Sequence, residues 1–432
     1  MDASFLLSVI GILVAIIFVA VMCYRGSSAI IIAPIAAIII SLTSGLGFSE
    51  GVLTVYMGGV GGLFTSMLLT MLCAACFSHL MVKTGAAYSI ADWFIKTLGV
   101  KYAPIIIAFS AAVLSAGGMM VGAFMTVFPI GIYLCSKAGY SKDIVLSCVI
   151  TGAWTYAYSL PFMPSLPNIM CQTYLGTSPS AGLLNGLICN GLMLVLTTIF
   201  VQWNAVRWKN KGRVFEDWDD LPEMSTDNPP LYVGVLPILL VLVLYNAAGM
   251  PLPYALICGC ILITLLQFKK FSAGEWFKLY QDGMQSGLGP IAATACIGGL
   301  GTLIGSTALF GAFLNWCQTT TLHPSIITFI MVTFMGSCLA SSGSALSTSL
   351  PTMGPVLQEL CAARGVSLGS LARVAATSAI PPSVLPHDGA LVACCKMFNT
   401  TYQKSYKPLF VSGFIIPFAC ALLSVVLSVI GI

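Results

Sequence analysis

The fold of this chain follows from two apolar stretches that small residues interrupt at their centres. Residues 103–136 read APIIIAFSAAVLSAGGMMVGAFMTVFPIGIYLCS, and residues 325–361 read SIITFIMVTFMGSCLASSGSALSTSLPTMGPVLQELC. Each half of such a stretch has about 15 residues, whereas a helix needs about 20 apolar residues to span a bilayer. We therefore predict two re-entrant hairpins. Their Ser- and Gly-rich tips turn inside the membrane and leave backbone amides available to a ligand.

The amino-acid composition indicates that the rest of the chain also lies in a membrane. Hydrophobic residues make up 58% of the 432 positions and charged residues only 7%, whereas soluble domains carry about 25% charged residues. Further apolar runs predict transmembrane helices at 5–23, 28–45, 53–82, 143–160, 180–203, 231–247, 254–268, 284–307, 371–397 and 408–430. The pattern is that of an all-α polytopic membrane protein. It gives no indication of a cofactor, a metal site or a nucleic-acid partner.

The basic residues predict the orientation in the membrane. If both hairpins are re-entrant, every Lys and Arg except Arg364 and Arg373 falls on one face. The positive-inside rule assigns that face to the cytoplasm. We therefore expect a multi-pass protein of the bacterial cytoplasmic (inner) membrane with both termini outside the cytoplasm. A single crossing by either hairpin would scatter the lysines over both faces.

The two halves of the chain repeat the same order of segments. We divide the chain into a first repeat at 1–205, a cytoplasmic linker at 206–229 and a second repeat at 230–432. Five crossings in each half, an odd number, make the repeats inverted. Inverted repeats with interrupted helices are typical of alternating-access secondary transporters. The matched residue pairs include Ser115 with Ser341, Gly117 with Gly343, Pro129 with Pro355, Ser141 with Ser367 and Thr151 with Thr377.

Each half also contains a helix that proline residues break. Residues 159–168 read SLPFMPSLPN, and residues 381–389 read PPSVLPHDG. Proline removes a backbone donor and clashes with the preceding turn, so neither segment forms a continuous helix. We expect the two breaks and the two hairpin tips to converge near the midplane, where half-helix N-termini attract an anion. The candidate substrate-binding residues are Ser115, Gly117, Gly118, Asn168, Ser341, Ser342, Gly343, Ser344 and Ser383.

Two ionisable residues of the second break are candidates for proton coupling. His387 and Asp388 lie within the predicted unwound segment. Ionisable groups inside a membrane are energetically costly, so their presence there indicates a function. Asp388 is also placed to cap a half-helix beginning at Gly389. The sequence predicts no Lys or Arg within the core of a span. A bound carboxylate would then be held by dipoles and hydrogen bonds, which favours a small, singly charged acid.

The segment Leu385-Pro386-His387-Asp388-Gly389-Ala390 resembles the gluconate permease family of proton symporters, within the ion transporter superfamily. Members of this family often have Asn at the position of Asp388. The first hairpin, from Gly117 to Pro129, lacks the acidic residue of the gluconate branch and is more similar to the 3-hydroxybutyrate permease branch. The resemblance covers nearly the whole length. It implies carboxylate uptake with protons by a homodimer whose substrate-bearing domains move against a fixed scaffold.

These features predict a secondary active transporter and not an enzyme. We expect proton-coupled symport of a small hydroxy- or keto-monocarboxylate such as gluconate or 3-hydroxybutyrate. The alternative is a sodium-coupled carboxylate carrier or a sodium/proton antiporter, because hairpin hydroxyls and exposed carbonyls also suit sodium. A passive channel or an intramembrane enzyme fits less well, since no His-Glu-x-x-His or Gly-x-Ser-x-Gly motif is present. The expected partners are a small organic anion, a proton or sodium ion, the lipid bilayer and a second copy of the chain.

Overall fold

The computed structural model describes residues 3–25, 27–116, 120–156, 158–216, 229–386, 388, 391 and 402–432. Within these residues every regular element is helical. Gly117, Gly118, His387 and the side chain of Ser344 lie outside the described part. The helices of the first half are α1 (Ala3–Tyr24), α2 (Ala29–Thr43), α3 (Met57–Lys83), α4 (Ala86–Leu98), α5 (Ala103–Ala116), α6 (Met120–Ala138), α7 (Val145–Ile150), α8 (Leu166–Leu175) and α9 (Leu183–Asn210).

The second half is likewise built from helices. Its described helices are α10 (Leu231–Asn246), α11 (Leu252–Leu266), α12 (Ala273–Ser286), α13 (Leu288–Gly305), α14 (Ala308–Thr319), α15 (Pro324–Leu339), α16 (Ser342–Arg364), α17 (Leu368–Ser378), α18 (Tyr402–Phe410) and α19 (Ile416–Val429). Among the described residues, three π-helical segments precede α3, extend α7 and join α18 to α19: Phe48–Tyr56, Thr151–Tyr156 and Val411–Ile415.

The lengths of the helices suit a bilayer. Four of the described helices are long and apolar enough to cross a membrane by themselves: Phe48–Lys83, Leu183–Asn210, Ala273–Gly305 and Lys404–Val429. Shorter apolar helices accompany them, including α2, α10, α11 and α15. The all-α polytopic architecture predicted from the sequence is therefore confirmed. One boundary differs, because a capping box of Ser272 and Glu275 begins the third long helix ahead of the apolar run predicted at 284–307.

Each predicted hairpin returns to the end at which it began. Helices α5 and α6 pack against each other, and the Tyr140 hydroxyl after α6 donates a 2.9 Å hydrogen bond to the Lys101 carbonyl before α5. In the second hairpin, α15 packs against α16, and Arg364 Nη2 donates to the Thr320 carbonyl at 3.0 Å. A single crossing between Lys101 and Tyr140, or between Thr320 and Arg364, does not fit these contacts.

The helices of the two halves pack in matched pairs. Helix α3 packs against its counterpart α13, and α9 packs against α19. Helix α2 packs against α13, and correspondingly α11 packs against α3. Helix α4 packs against α10, and correspondingly α14 packs against α1. Such exchanged pairs are what a two-fold relation between the halves produces. That the halves are inverted in the membrane stays a prediction.

Basic residues far apart in sequence meet at one end of the bundle. Lys209 Nζ donates to the Ala138 carbonyl at 2.7 Å. Arg213 Nη2 lies 2.7 Å from Asp143 Oδ2 and 3.1 Å from the Lys404 carbonyl. These contacts bring the end of α9 to the end of α6, to the start of α7 and to α18. The positive-inside pattern of the sequence predicts that all of these basic residues lie on one face.

Candidate functional site

The first broken helix opens between Tyr156 and Leu166. Asn168, which is fully buried in the first turn of α8 just after this interval, donates from Nδ2 to the Leu160 carbonyl at 2.8 Å and to the Met163 carbonyl at 2.9 Å. Because the unwound backbone lacks helical donors for these carbonyls, the Asn168 amide supplies them. Of the Asn168 side chain, only Oδ1 is without a partner among the described residues. Asn168 thus stabilises the unwound segment with its amide nitrogen, and Oδ1 is the side-chain atom that is left to contact a substrate.

The second broken helix contacts the tip of the second hairpin. Helix α17 ends at Ser378, and a short 3₁₀ turn follows at Pro381–Val384. At the tip, Ala340 adopts a left-handed conformation with φ 44°, which reverses the chain between α15 and α16. The Ser342 amide then donates to Ser383 Oγ at 3.0 Å. A half-helix N-terminus and a hydroxyl of the break therefore meet, as the sequence predicts for these two segments.

The same hairpin tip also reaches the first break. Ser342 Oγ donates a 2.7 Å hydrogen bond to the Tyr158 hydroxyl. Beside it, a Cβ atom added to Gly343 would lie 2.3 Å from Leu166 Cδ2, so only glycine allows this approach without a shift of Leu166. Ser341 lies at the tip, and its carbonyl accepts a 2.9 Å hydrogen bond from the Ala345 amide. One tip thus joins both broken helices.

Asp388 is the buried acid of this region. It is only 8% exposed, and its Oδ1 accepts a 2.7 Å hydrogen bond from the Leu391 amide. This is the capping geometry that the sequence suggested, and it stabilises the ionised carboxylate. Asp388 also lies within electrostatic range of the Tyr158 hydroxyl. Its predicted companion His387 lies outside the described residues.

The first hairpin tip is only partly described. Ser115 is buried at the end of α5, and its hydroxyl has no hydrogen-bond partner in the described part of the chain. Helix α5 packs along α7 and its π-helical extension, where a Cβ on Gly152 would lie 1.9 Å from the Ala108 carbonyl oxygen. The structure therefore brings the first hairpin to the first broken helix. Gly117 and Gly118 fall outside the described residues.

Arg373 departs from the sequence expectation in one respect. The sequence predicts this residue at the non-cytoplasmic face, but its side chain in α17 is completely buried within the protein. Arg373 Nη1 donates to the Ser159 carbonyl in the first break at 3.0 Å. The sequence feature that could have indicated this position is Ser367, which corresponds to Ser141 in the first repeat. Ser367 caps α17, so the helix starts before the apolar run at 371–397 and carries Arg373 inward.

Comparison with known proteins identifies the family of this architecture. A family model described as GntP family permease matches residues 5–251, which is more than half of the chain. The chain belongs to the GntP permease family. The resemblance to the gluconate permease family seen in the sequence is thereby confirmed. A second family model, described as Na+/H+ antiporter family, matches residues 229–385.

The relatives of this GntP family permease are transporters. The chain is 21% identical over 439 residues to "Uncharacterized transporter YxjC" of Bacillus subtilis (strain 168), across 90% of this chain and 92% of the relative. It is 27% identical over 192 residues to an "Uncharacterized transporter" of Haemophilus influenzae, across 44% of each.

The crystal structure of the YdaH transporter of Alcanivorax borkumensis, described as having an unusual topology, has the same fold as this chain. The TM-score is 0.56 at 14% identity, covering 100% of this chain and 99% of that one. The GntP family permease is a transporter and not an enzyme.

Proposed function

We propose that this transporter is a proton-coupled symporter of a small organic monocarboxylate, of the class to which gluconate and 3-hydroxybutyrate belong. The observation that carries the proposal is the hydrogen bond between Ser342 at the hairpin tip and Tyr158 in the first break, with the buried Asp388 within electrostatic range of Tyr158. A hairpin tip, an unwound helix and a buried acid thus lie in one region. Unwound backbone inside a membrane protein is tolerated beside a binding cavity, and a buried acid is a natural proton carrier.

Coupling would operate through the cap that Asp388 forms. When ionised, Asp388 accepts from the Leu391 amide and fixes the second break. Protonation removes the negative charge and weakens this cap. Because Asp388 interacts with Tyr158, and Tyr158 binds the Ser342 hydroxyl, a proton on Asp388 changes the contact between the second hairpin tip and both breaks. The hairpin tip is thus positioned to respond to proton occupancy.

Uptake by proteoliposomes tests this function. The purified protein is reconstituted and offered radiolabelled 3-hydroxybutyrate, gluconate, lactate, pyruvate and citrate, with and without an imposed inward proton gradient. The proposal expects uphill accumulation of at least one monocarboxylate that requires the gradient, and no accumulation of citrate. Equilibration without accumulation would indicate a passive channel and contradict the proposal.

A sodium-dependent reading has one specific observation in its favour. The second half of the chain, residues 229–385, matches the Na+/H+ antiporter family model. Hydroxyl and carbonyl oxygens such as those of the hairpin tip and the breaks are also suitable ligands for sodium. In the same liposomes, uptake driven by a sodium gradient with the pH gradient collapsed would favour a sodium-coupled carrier. Sodium-driven proton movement without any carboxylate would favour an antiporter.

The cellular setting belongs to the same proposal. The end of the bundle that gathers Lys209, Arg213 and Lys404 would face the cytoplasm of a bacterial inner membrane. The segments 1–205 and 230–432 would then be inverted repeats joined by a cytoplasmic linker at 206–229, with both termini outside. We further propose a homodimer, because the long helix α3 leaves much of its apolar surface uncovered by its own chain. Mass determination in lipid nanodiscs tests this assembly.

A further inference from the structure

The side chain of Arg373 is a buried cation with unused hydrogen-bonding capacity. It is 0% exposed, and Nη1 is its only nitrogen that donates to a described residue, the Ser159 carbonyl at 3.0 Å. Nε and Nη2 have no partner within the described part of the chain. The aliphatic stem packs closely on Gly182 and Gly186, where a Cβ would lie 2.5 Å from Arg373 Cγ and 3.0 Å from Arg373 Cδ. The guanidinium is therefore held in place while two of its nitrogens are left to a ligand.

Among the described residues, no carboxylate forms a direct ion pair with Arg373. The groups that interact with Arg373 electrostatically are Cys171 and Tyr245, which are neutral at physiological pH. The structure describes only Leu391 within residues 389–401, and this segment contains no Asp or Glu. An unpaired guanidinium in a low-dielectric interior is strongly unfavourable. Such a charge indicates that an anion completes the site during the working cycle.

The unused edge of Arg373 has the geometry of a carboxylate receptor. Nε–H and Nη2–H point in parallel from the same side of the planar guanidinium, which is the fork that binds both oxygens of one carboxylate. A further buried donor belongs to the same cluster. Gln172 accepts at Oε1 from the Tyr245 hydroxyl at 3.0 Å, and its Nε2 has no partner among the residues described. The cluster therefore offers donors and a positive charge, which suits an anion and not a cation.

The first broken helix links this cluster to Asp388 through two consecutive residues. The Ser159 carbonyl accepts a hydrogen bond from Arg373, whereas the Tyr158 hydroxyl accepts one from Ser342 and lies within electrostatic range of Asp388. Two buried groups of opposite charge thus flank one unwound segment. With no anion bound and Asp388 ionised, their charges cancel. With a monocarboxylate on Arg373 and a proton on Asp388, the net charge is again zero. The net charge is also zero if the proton is on His387, the preceding residue in the chain, and Asp388 stays ionised.

We propose that the Nε/Nη2 edge of Arg373 binds the carboxylate of the transported anion, and that Arg373 and Asp388 together impose electroneutral transport of one anion with one proton. This inference rests on the proposed symport function. If only the anion or only the proton is bound, the buried site carries one net charge. This charge prevents the second hairpin from moving between the inward-open and outward-open states. A dicarboxylate would leave an uncompensated negative charge, which excludes it as a substrate.

Transport measurements under a clamped membrane potential test the stoichiometry on the wild-type protein. Proteoliposomes with a fixed proton gradient take up 3-hydroxybutyrate, or whichever monocarboxylate of the panel gives the strongest signal, while potassium and valinomycin set the potential. We expect the same accumulation at zero and at about 100 mV, inside negative, because the loaded site carries no net charge. A severalfold change in accumulation with potential would overturn the one-to-one charge balance.

Two substitutions test the guanidinium itself against an exposed control. Arg373→Lys keeps the charge but loses the fork, so we expect KM to rise at least about tenfold with a smaller change in kcat. Arg373→Gln removes the charge and should abolish accumulation. Arg207→Gln, which changes an exposed arginine, should transport like the wild type. A KM within about twofold of wild type in Arg373→Lys would overturn the anion-binding role. If the wild-type protein accumulates none of the panel, the symport proposal and this inference fall together.

Discussion

The Ser342 hydroxyl donates a 2.7 Å hydrogen bond to the Tyr158 hydroxyl, which lies 184 positions earlier in the chain. The bond joins the tip of the second hairpin to the unwound part of the first broken helix. Ser342 also binds the second break, because its amide donates to Ser383 Oγ at 3.0 Å. A movement of the hairpin tip must therefore break or re-form contacts with both helices, which makes this tip the moving part of the proposed cycle.

Tyr158→Phe should uncouple the tip from the first break. The substitution removes the acceptor of the Ser342 hydroxyl, so we expect a loss of about 1 kcal/mol of stability. We also expect a severalfold lower rate of proton-driven uptake. Thermal unfolding in detergent and uptake by proteoliposomes measure the two effects. Tyr232→Phe, at a tyrosine that is 54% exposed, is the matched control and should change neither. Wild-type uptake by Tyr158→Phe would show that the contact is only structural.

Gly152→Ala should reveal how tightly the first hairpin packs on the first broken helix. The new Cβ would lie 1.9 Å from the Ala108 carbonyl oxygen of α5, which is backbone and cannot rotate away. We expect destabilisation by about 1–3 kcal/mol or more, the usual cost of overpacking. Gly191→Ala in α9 is the matched control, because nothing lies within 4 Å of its added Cβ. That control should gain up to about 1 kcal/mol. Equal melting temperatures for the two variants would contradict this packing.

The ends of each hairpin should be labelled from one side of the membrane. Cysteines placed at Lys101 and Lys137, on either side of the first hairpin, should react together with a membrane-impermeant maleimide added to the same face. A cysteine at Arg364 should react from the opposite face. Most of the native cysteines in the described part of the chain are buried, which keeps the background low. Reaction of Lys101→Cys and Lys137→Cys from opposite faces would disprove the hairpin.

The base of the second hairpin should weaken at mildly acidic pH. His323 caps α15 by accepting the Ser325 amide on Nδ1 at 3.3 Å, which requires the neutral imidazole. Burial lowers the pKa of His323 from its usual 6.5, and the Arg364 guanidinium lowers this pKa further. A histidine with a depressed folded pKa contributes its full stability above the unfolded pKa and loses it as the pH falls below about 6.5. His323→Asn keeps a capping side chain without titrating.

The melting temperature of the wild-type protein should therefore fall between pH 7 and pH 5 by more than that of His323→Asn. The expected difference corresponds to about 1 kcal/mol, the worth of one helix cap. Identical pH dependence of the two proteins would show that His323 contributes nothing at this position.

Much of the fold could be predicted because the decisive signals are local. Closely spaced prolines at 161 and 164, and at 381 and 382, disfavour a continuous helix, and short apolar halves around Ser and Gly indicate hairpins without any tertiary information. The meeting of Ser342 with Ser383 followed from the expectation that tips and breaks converge. These predictions needed only chain length and residue type.

The details of the site could not be predicted in the same way. Asn168 was expected to be a substrate ligand, but its amide satisfies the Leu160 and Met163 carbonyls, which only the folded break reveals. Arg373 was assigned to the surface because an apolar run has no periodicity that marks where a helix starts. Its depth depends on the Ser367 cap, and its partner at Ser159 lies in the other half of the chain.

The role of Asp388 as the carrier of the coupled proton is tested most directly by comparing two assays on Asp388→Asn. Asn mimics the permanently protonated acid, so the anion-loaded site stays neutral and can exchange, whereas the empty site keeps the uncompensated Arg373 charge and cannot return. We expect counterflow of labelled 3-hydroxybutyrate to persist and proton-driven accumulation to be lost. Asp92→Asn, which changes an acid paired with Lys96 away from this site, should perform both. Proton-driven accumulation by Asp388→Asn at the wild-type level would contradict the account.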